Sequence, residues 1–217
     1  MSQPPKVLLF IATGCQHCPS VLLSLSELIK QGAIAELEVV NLQQSPERAA
    51  ELSVRSVPWV KIGPFELVGL RTKSELIQWI DRVNEPQAMA DYFGELMTTG
   101  EIDKVIELVK NSPETFTALV SLMANPETTL SVRIGVGAII EDFAGSDILR
   151  QNIELLAEYT QAEDPRVRND ACFYLGLSHD KSAEPSIRPL LDSENAETRE
   201  IAKEALEAIL NPEDASD

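Results

Sequence analysis

The stretch Lys6-Val7-Leu8-Leu9-Phe10-Ile11-Ala12-Thr13-Gly14-Cys15-Gln16-His17-Cys18-Pro19 decides how the first part of the chain folds. Its opening, Lys6 to Ala12, is a short unbroken run of strand formers closed by Thr13-Gly14, the pattern of a strand buried on both faces. Pro19 through Gln31 then carries apolar residues at Val21, Leu22, Leu25, Leu28 and Ile29. That spacing makes one face of a helix, with Gly32 placed as its stop. Cys15 and Cys18 therefore fall between a strand and the start of a helix. Unpaired backbone N–H groups and the positive end of the helix dipole gather there, and both favour a thiolate at the first cysteine. Cys15 is the candidate nucleophile. Cys18, about one helical turn further in, is placed to attack a mixed disulfide formed at Cys15, as a resolving cysteine must.

Outward from this stretch, Ile34 to Leu42 reads as a second strand and Pro46 to Leu52 as a short helix. Val57-Pro58-Trp59-Val60-Lys61-Ile62 reads as a third strand, Gly63-Pro64 as a turn, and Phe65 to Val68 as a fourth strand. After Gly69, Thr72 to Val83 has the helical spacing Leu76, Ile77, Ile80, Val83. The order of elements is βαβ-α-ββα.

Residues 6–84 resemble the thioredoxin superfamily, in a compact form without the extra N-terminal strand and helix of thioredoxin itself. Three features carry the resemblance: Cys15 and Cys18 after the first strand, Val57-Pro58 opening the third, and Gly69 closing a hairpin before the last helix. The resemblance implies that Pro58 is a cis-proline facing the two cysteines and that the backbone of Val57 pairs with a client peptide in strand fashion. It assigns Val57, Pro58 and Trp59 to the substrate groove and Cys15, His17 and Cys18 to catalysis. It implies no cofactor beyond a redox-active Cys15–Cys18 disulfide.

A Cys-x-x-Cys pair alone also occurs in zinc sites. Two further ligands are then required, and the other histidine and cysteine, His179 and Cys172, lie far along the chain without paired spacing, so no metal is expected. An ordinary trans-proline at a strand start is the plain alternative for Pro58. His17 stands where a histidine also stands in the periplasmic disulfide oxidase family, which this motif partly resembles. An imidazole beside the sulfur favours the charged form, and a stabilised reduced state raises the reduction potential. The expected couple is more oxidising than that of thioredoxin, at about −270 mV; a solvated histidine without such a role is the alternative. The chain lacks the Gly-Pro that thioredoxin carries between its cysteines, having Gln16-His17 there, and the Gly-Gly-Asp-like stretch with which glutaredoxins hold glutathione. Pro19 is similar to the residue after the second cysteine in compact glutaredoxin-like domains of archaeal protein disulfide oxidoreductases, and the first helical turn tolerates it.

From Asn84-Glu85-Pro86 onward, nearly every segment has helical periodicity broken by Pro, Gly, Asn or Asp. Three stretches align: residues 130–140, 165–175 and 196–206, with Arg133, Arg168 and Arg199 coinciding. Self-similarity at the length of a helical hairpin is the signature of a solenoid. The string Asp164-Pro165-Arg166-Val167-Arg168, followed by a small-residue helix, resembles HEAT-like repeats over roughly residues 88–209, with residues 88–125 matching weakly. The arginines are expected to pair with neighbouring acids or to cap helix ends, and Cys172 to be a buried, inert thiol.

Two domains are thus expected: residues 1–85, an α/β thioredoxin-like redox domain, and residues 86–217, an all-α HEAT-like domain. Charge marks the same division. Residues 1–85 hold 8 Lys/Arg and 9 Asp/Glu, whereas residues 86–217 hold 10 and 26, a net of −16 within the −17 of the whole chain. Such acidity repels phosphate backbones and anionic bilayers, which argues against nucleic acid and membranes as partners; it either steers a basic protein or only confers solubility. Met1 to Pro5 lack the basic stretch of a secretory leader and no apolar run approaches a membrane span, so the expected location is the cytoplasm. The function expected is thiol–disulfide exchange with a protein client that the acidic domain docks. A redox-sensitive interaction scaffold without turnover, and a sulfur or metal carrier, are the alternatives.

Overall fold

A computed structural model describes residues 3–52 and 54–210. The chain divides into two compact units, Met1–Ala88 and Met89–Asp217.

The first unit contains β1 (Lys6–Ile11), α1 (Cys18–Lys30), β2 (Glu36–Asn41), α2 (Pro46–Glu51), β3 (Trp59–Ile62), β4 (Phe65–Val68) and α3 (Lys73–Arg82). Its four strands lie in the order β2-β1-β3-β4. β1 pairs parallel with β2 and antiparallel with β3, and β3 pairs antiparallel with β4. The apolar opening run is therefore an inner strand, with Val7, Leu9 and Phe10 buried. β3 begins at Trp59 rather than at Val57, because a proline offers no N–H to a ladder.

α1 buries Cys18, Val21, Leu25 and Leu28 along one stripe and begins at Cys18, one residue before the expected start. It ends as its sequence demands. Gly32 has φ +76, its N–H donates to the Ile29 carbonyl at 3.1 Å, and the Ala33 N–H donates to Leu28 at 3.0 Å, a Schellman closure that needs a left-handed residue. α3 is opened by Thr72, which lies outside the helix as its cap: its hydroxyl accepts from the Glu75 N–H while the Glu75 carboxylate accepts from the Thr72 N–H at 2.7 Å.

The helix α4 (Pro86–Thr98) spans the division between the units. Beyond it come α5 (Ile102–Asn111), α6 (Phe116–Ala124), α7 (Leu130–Asp142), α8 (Asp147–Gln151), α9 (Ile153–Glu158), α10 (Pro165–Leu177), α11 (Glu184–Ile187) and α12 (Ala196–Leu210), with short 3-10 turns between several of them. The three arginines that align in the sequence do the same work three times. Arg133 donates to the carbonyl of Met123 at 2.7 Å, Arg168 to that of Ala162 at 2.8 Å, and Arg199 to that of Ser193 at 2.7 Å. Each carbonyl lies at the end of the preceding helical segment, where backbone acceptors lack partners and a cation meets the negative dipole end. Arg133 also pairs with Asp170 on α10. Burial pushes the Asp170 carboxyl up, and the guanidinium beside it pulls it back down. Cys172 is fully buried, and desolvation pushes its thiol up to about 12, so it stays protonated and unreactive.

Candidate active site

The first cysteine is delivered by the turn that ends β1. Gly14 adopts φ +82, and the Cys15 N–H donates to the Ala12 carbonyl at 3.2 Å. The turn is tied to the end of β2 by Asn41, whose side-chain amide donates to the Thr13 hydroxyl at 3.2 Å and whose side-chain oxygen accepts from the Gln43 N–H at 3.0 Å. Nothing in the sequence marks Thr13 and Asn41 as partners, since they are brought together only by the parallel pairing of β1 and β2.

Cys15 and Cys18 are joined as a disulfide, with Cα atoms 5.5 Å apart. The two sulfurs differ in access: Cys15 is half-buried, whereas Cys18 is only 4% exposed. The Cys18 backbone N–H, one of the free donors at the start of α1, points at the Cys15 Sγ from 3.1 Å. An N–H aimed at sulfur stabilises negative charge there, and a helix N-terminus adds its dipole in the same sense. His17 is the N-cap residue of α1; its side chain makes no capping bond and is exposed to solvent between the two cysteines.

Across from the sulfurs lies the loop that precedes β3. The Val57–Pro58 peptide is cis. The Val57 carbonyl oxygen stands 3.8 Å from the Cys15 Sγ, and Pro58 is buried. The Pro58 carbonyl accepts from the Gly69 N–H at 2.9 Å, which pins the loop to the end of β4. Among the described residues nothing accepts a hydrogen bond from the Val57 N–H. Leu70, the residue after the Gly69 that is bonded to this loop, is 50% exposed. The sequence reading passed over Leu70, although an apolar residue in a turn with no place in the periodic core is a signal that was there to be used.

The structure thus gathers Cys15, Cys18, His17, Val57 and Pro58 at one end of the sheet. Trp59 goes elsewhere. Its indole is 2% exposed and stacks on Phe10, the ring centroids 5.0 Å apart, because pleating turns it into the core at the first paired position of β3. Trp59 supports the loop from beneath, and its side chain is not presented to a client. Among the described residues no group of three or more His, Cys, Asp or Glu is arranged to hold a metal, and no helix is long and apolar enough to cross a membrane.

A four-stranded mixed sheet, a disulfide at a helix start and a cis-proline opposite it define a thioredoxin-fold thiol–disulfide oxidoreductase. The thioredoxin family model and a sequence relative agree. The thioredoxin domain family matches residues 6–81, and the HEAT repeat family matches residues 153–217. A thioredoxin of Methanocaldococcus jannaschii is 32% identical over 79 residues, which span 36% of this chain and 93% of that protein. An engineered protein of known crystal structure aligns over 63% of this chain and 74% of its own, with 16% identity and a TM-score of 0.33. Through its first unit the chain belongs to the thioredoxin family; its second part carries HEAT repeats.

Proposed function

We propose that the protein exchanges disulfides with a protein client, with Cys15 as the attacking sulfur and Cys18 as the resolving one. In the reduced state the Cys15 thiolate attacks one sulfur of a client disulfide, forming a Cys15–client bond and releasing the other client sulfur as a thiolate. The Cys18 thiolate then attacks the Cys15 sulfur, closing the Cys15–Cys18 disulfide and releasing the second client thiolate. Two electrons have passed to the client, and the same exchange run backwards oxidises a client dithiol. The observation that carries this reading is the asymmetry of the pair: a reachable sulfur held under a backbone N–H, with its mate shielded one turn away. The Val57 N–H, which has no acceptor among the described residues, gives an extended client strand a donor beside the reacting sulfur.

His17 we assign to tuning. Its place between the cysteines favours the thiolate, hence the reduced form, and so sets the couple above the thioredoxin value of about −270 mV. The acidic second unit we assign to docking a basic client, through the electrostatic steering that a net charge of −16 on residues 86–217 provides.

The test is insulin reduction by wild type, Cys15→Ser and Cys18→Ser. Turnover in wild type, its loss in Cys15→Ser, and a client trapped as a mixed disulfide on Cys18→Ser are the expected results. Absence of turnover in wild type favours a redox-sensitive scaffold. Equilibration of the pair in glutathione buffers checks His17: the wild-type potential should lie above that of thioredoxin, and His17→Ala should lower it.

A further inference from the structure

Within the second unit, α7 and α10 are related by the repeat in the same way as α10 and α12, yet the two pairs are packed differently. Between α10 and α12 the interface is closed. The Thr198 hydroxyl donates to the Asn169 side-chain oxygen at 2.7 Å in the interior, and Gly176 lies so close to Ala205 that a Cβ there would meet backbone at 2.8 Å. Between α7 and α10 there is instead an open groove of ≈ 410 Å³, lined by Leu130, Ile134 and Ala138 on one side, by Phe173 and Tyr174 on the other, and by the Arg133–Asp170 ion pair, whose charges offset each other.

This groove is where the unit leaves apolar surface uncovered. Four large apolar side chains are exposed among the described residues of the unit, and three of them meet here: Leu130 at 74%, Ile134 at 64% and Phe173 at 40%. Leu130, Ile134 and Ala138 recur every four residues and so form one stripe of α7, while Val132, Val136, Ile139 and Ile140 are buried on its other side. A helix that is apolar on both faces is built to be covered on both. The inner face is covered by the unit itself, and no described residue covers the outer one.

Charge decides what covers it. Glu141 ends the stripe, is exposed, and forms no ion pair among the described residues. The face of α12 beyond the closed interface carries exposed Glu197, Glu200, Glu204 and Glu207, of which Glu200 alone forms an ion pair among the described residues, with Lys203 of the same helix at 3.4 Å. A second copy of the chain brings the same net charge of −16 on these residues and is repelled. The sequence after Leu210, Asn-Pro-Glu-Asp-Ala-Ser-Asp, is acidic and has no large apolar side chain to insert. A segment with apolar side chains one helical turn apart and Lys or Arg beside them satisfies both the floor and the rim.

We infer that the α7–α10 groove is the docking site for a basic amphipathic helix of a protein partner, with Ile134 and Phe173 as the anchoring contacts and Glu141 as the charge that orients it. The inference deepens the docking half of the proposed function and rests on that reading.

The experiment measures fluorescence anisotropy of a labelled synthetic peptide of leucine and lysine, with leucines at helical i, i+3, i+4, i+7 spacing, titrated with the full chain. Wild type binds this peptide, and neither the same residues shuffled out of register nor a leucine–glutamate counterpart competes. The exposed double substitution Ile134→Ser/Phe173→Ser weakens binding about tenfold or more by removing two buried apolar contacts, Glu141→Gln weakens it less, and Leu210→Ser leaves it unchanged. Equal binding of the shuffled or acidic peptide, or no change in the double variant, overturns the groove. Circular dichroism confirms that the double variant is folded. Reduction of a small aromatic disulfide by the same samples separates the two claims: peptide binding without exchange sinks the redox reading and leaves the groove standing, whereas exchange without peptide binding does the reverse.

Discussion

The two units carry opposite kinds of information. In the first, each functional residue occurs once, and the geometry that matters converges on one sulfur: an N–H at 3.1 Å from one side and a carbonyl oxygen at 3.8 Å from the other. In the second, one device recurs, an arginine near the start of a helix that closes the end of the segment before it, at Arg133, Arg168 and Arg199. The redox site thus depends on unique positions, while the repeat unit spreads its stability over neighbour-to-neighbour contacts. One consequence is experimental. Both tryptophans, Trp59 and Trp79, lie in the first unit, so their fluorescence follows that unit alone, while far-UV circular dichroism is weighted toward the helices of the second.

The largest expected stability effect is at Arg133. Among the described residues it is the one aligned arginine that both closes a helix and neutralises a half-buried acid of the next repeat, so Arg133→Ala leaves the Met123 carbonyl and the Asp170 carboxyl without this partner. About 2–3 kcal/mol should be lost. Arg168→Ala, which gives up a bond to one carbonyl, should lose about 1 kcal/mol. Denaturation followed by circular dichroism should show both losses, with the tryptophan transition unmoved. Equal losses for the two variants, or a matching shift in fluorescence, would break the contrast between a modular repeat and an independent redox fold.

The closed and open interfaces make a sharper pair. A Cβ on Gly176 meets the Ala205 backbone, which cannot swing aside, whereas a Cβ on Gly137 meets only the Tyr174 hydroxyl at an ordinary 3.5 Å. Gly176→Ala should therefore destabilise by about 1–3 kcal/mol through overpacking. Gly137→Ala should stabilise by up to about 1 kcal/mol, because alanine is the better helix former and nothing crowds it. Opposite signs for one substitution at two helix–helix faces are the outcome to look for in chemical denaturation. The same sign at both would mean that the α7–α10 pair is closed in solution.

How much of this was legible in the sequence follows from range. Cys15 to Cys18 and the helix behind them are local, and so their placement after β1 could be read from spacing alone. The Val57-Pro58 loop is a distant element, and its opposition to the cysteines came from resemblance. Strand order and the Asn41–Thr13 tie depend on pairing across 28 residues and left no periodic trace. Trp59 was misplaced into the groove for a related reason: a strand's pleat sends alternate side chains to opposite faces, and which face is inside depends on the register with Phe10. In the second unit the aligned arginines were legible as a repeat, but an open groove beside a closed interface was not, since the sequence shows equivalence and only packing shows departure from it.

The smallest effect sets the two units side by side through acid. Asp164 caps α10: its carboxylate accepts from the Arg166 side chain and the Arg166 N–H, and these bonds, the side-chain one first, hold it down at about 2. Glu75 completes the capping box of α3, held below its ordinary range chiefly by the Thr72 hydroxyl and then by the Thr72 N–H. A carboxyl lowered on folding stabilises the fold above its unfolded value and loses that contribution as pH falls through its folded one. For Asp164 the window runs from about pH 4 down to about 2. Asp164→Asn keeps the acceptor and removes the charge, so its deficit in dichroism-monitored stability should be present at neutral pH, shrink through that window and vanish at its foot. Glu75→Gln should behave likewise in tryptophan fluorescence. Absence of a deficit at residue 164 at neutral pH would show that the cap works by geometry alone, and would leave the charge on that helix start without a part in holding the repeat.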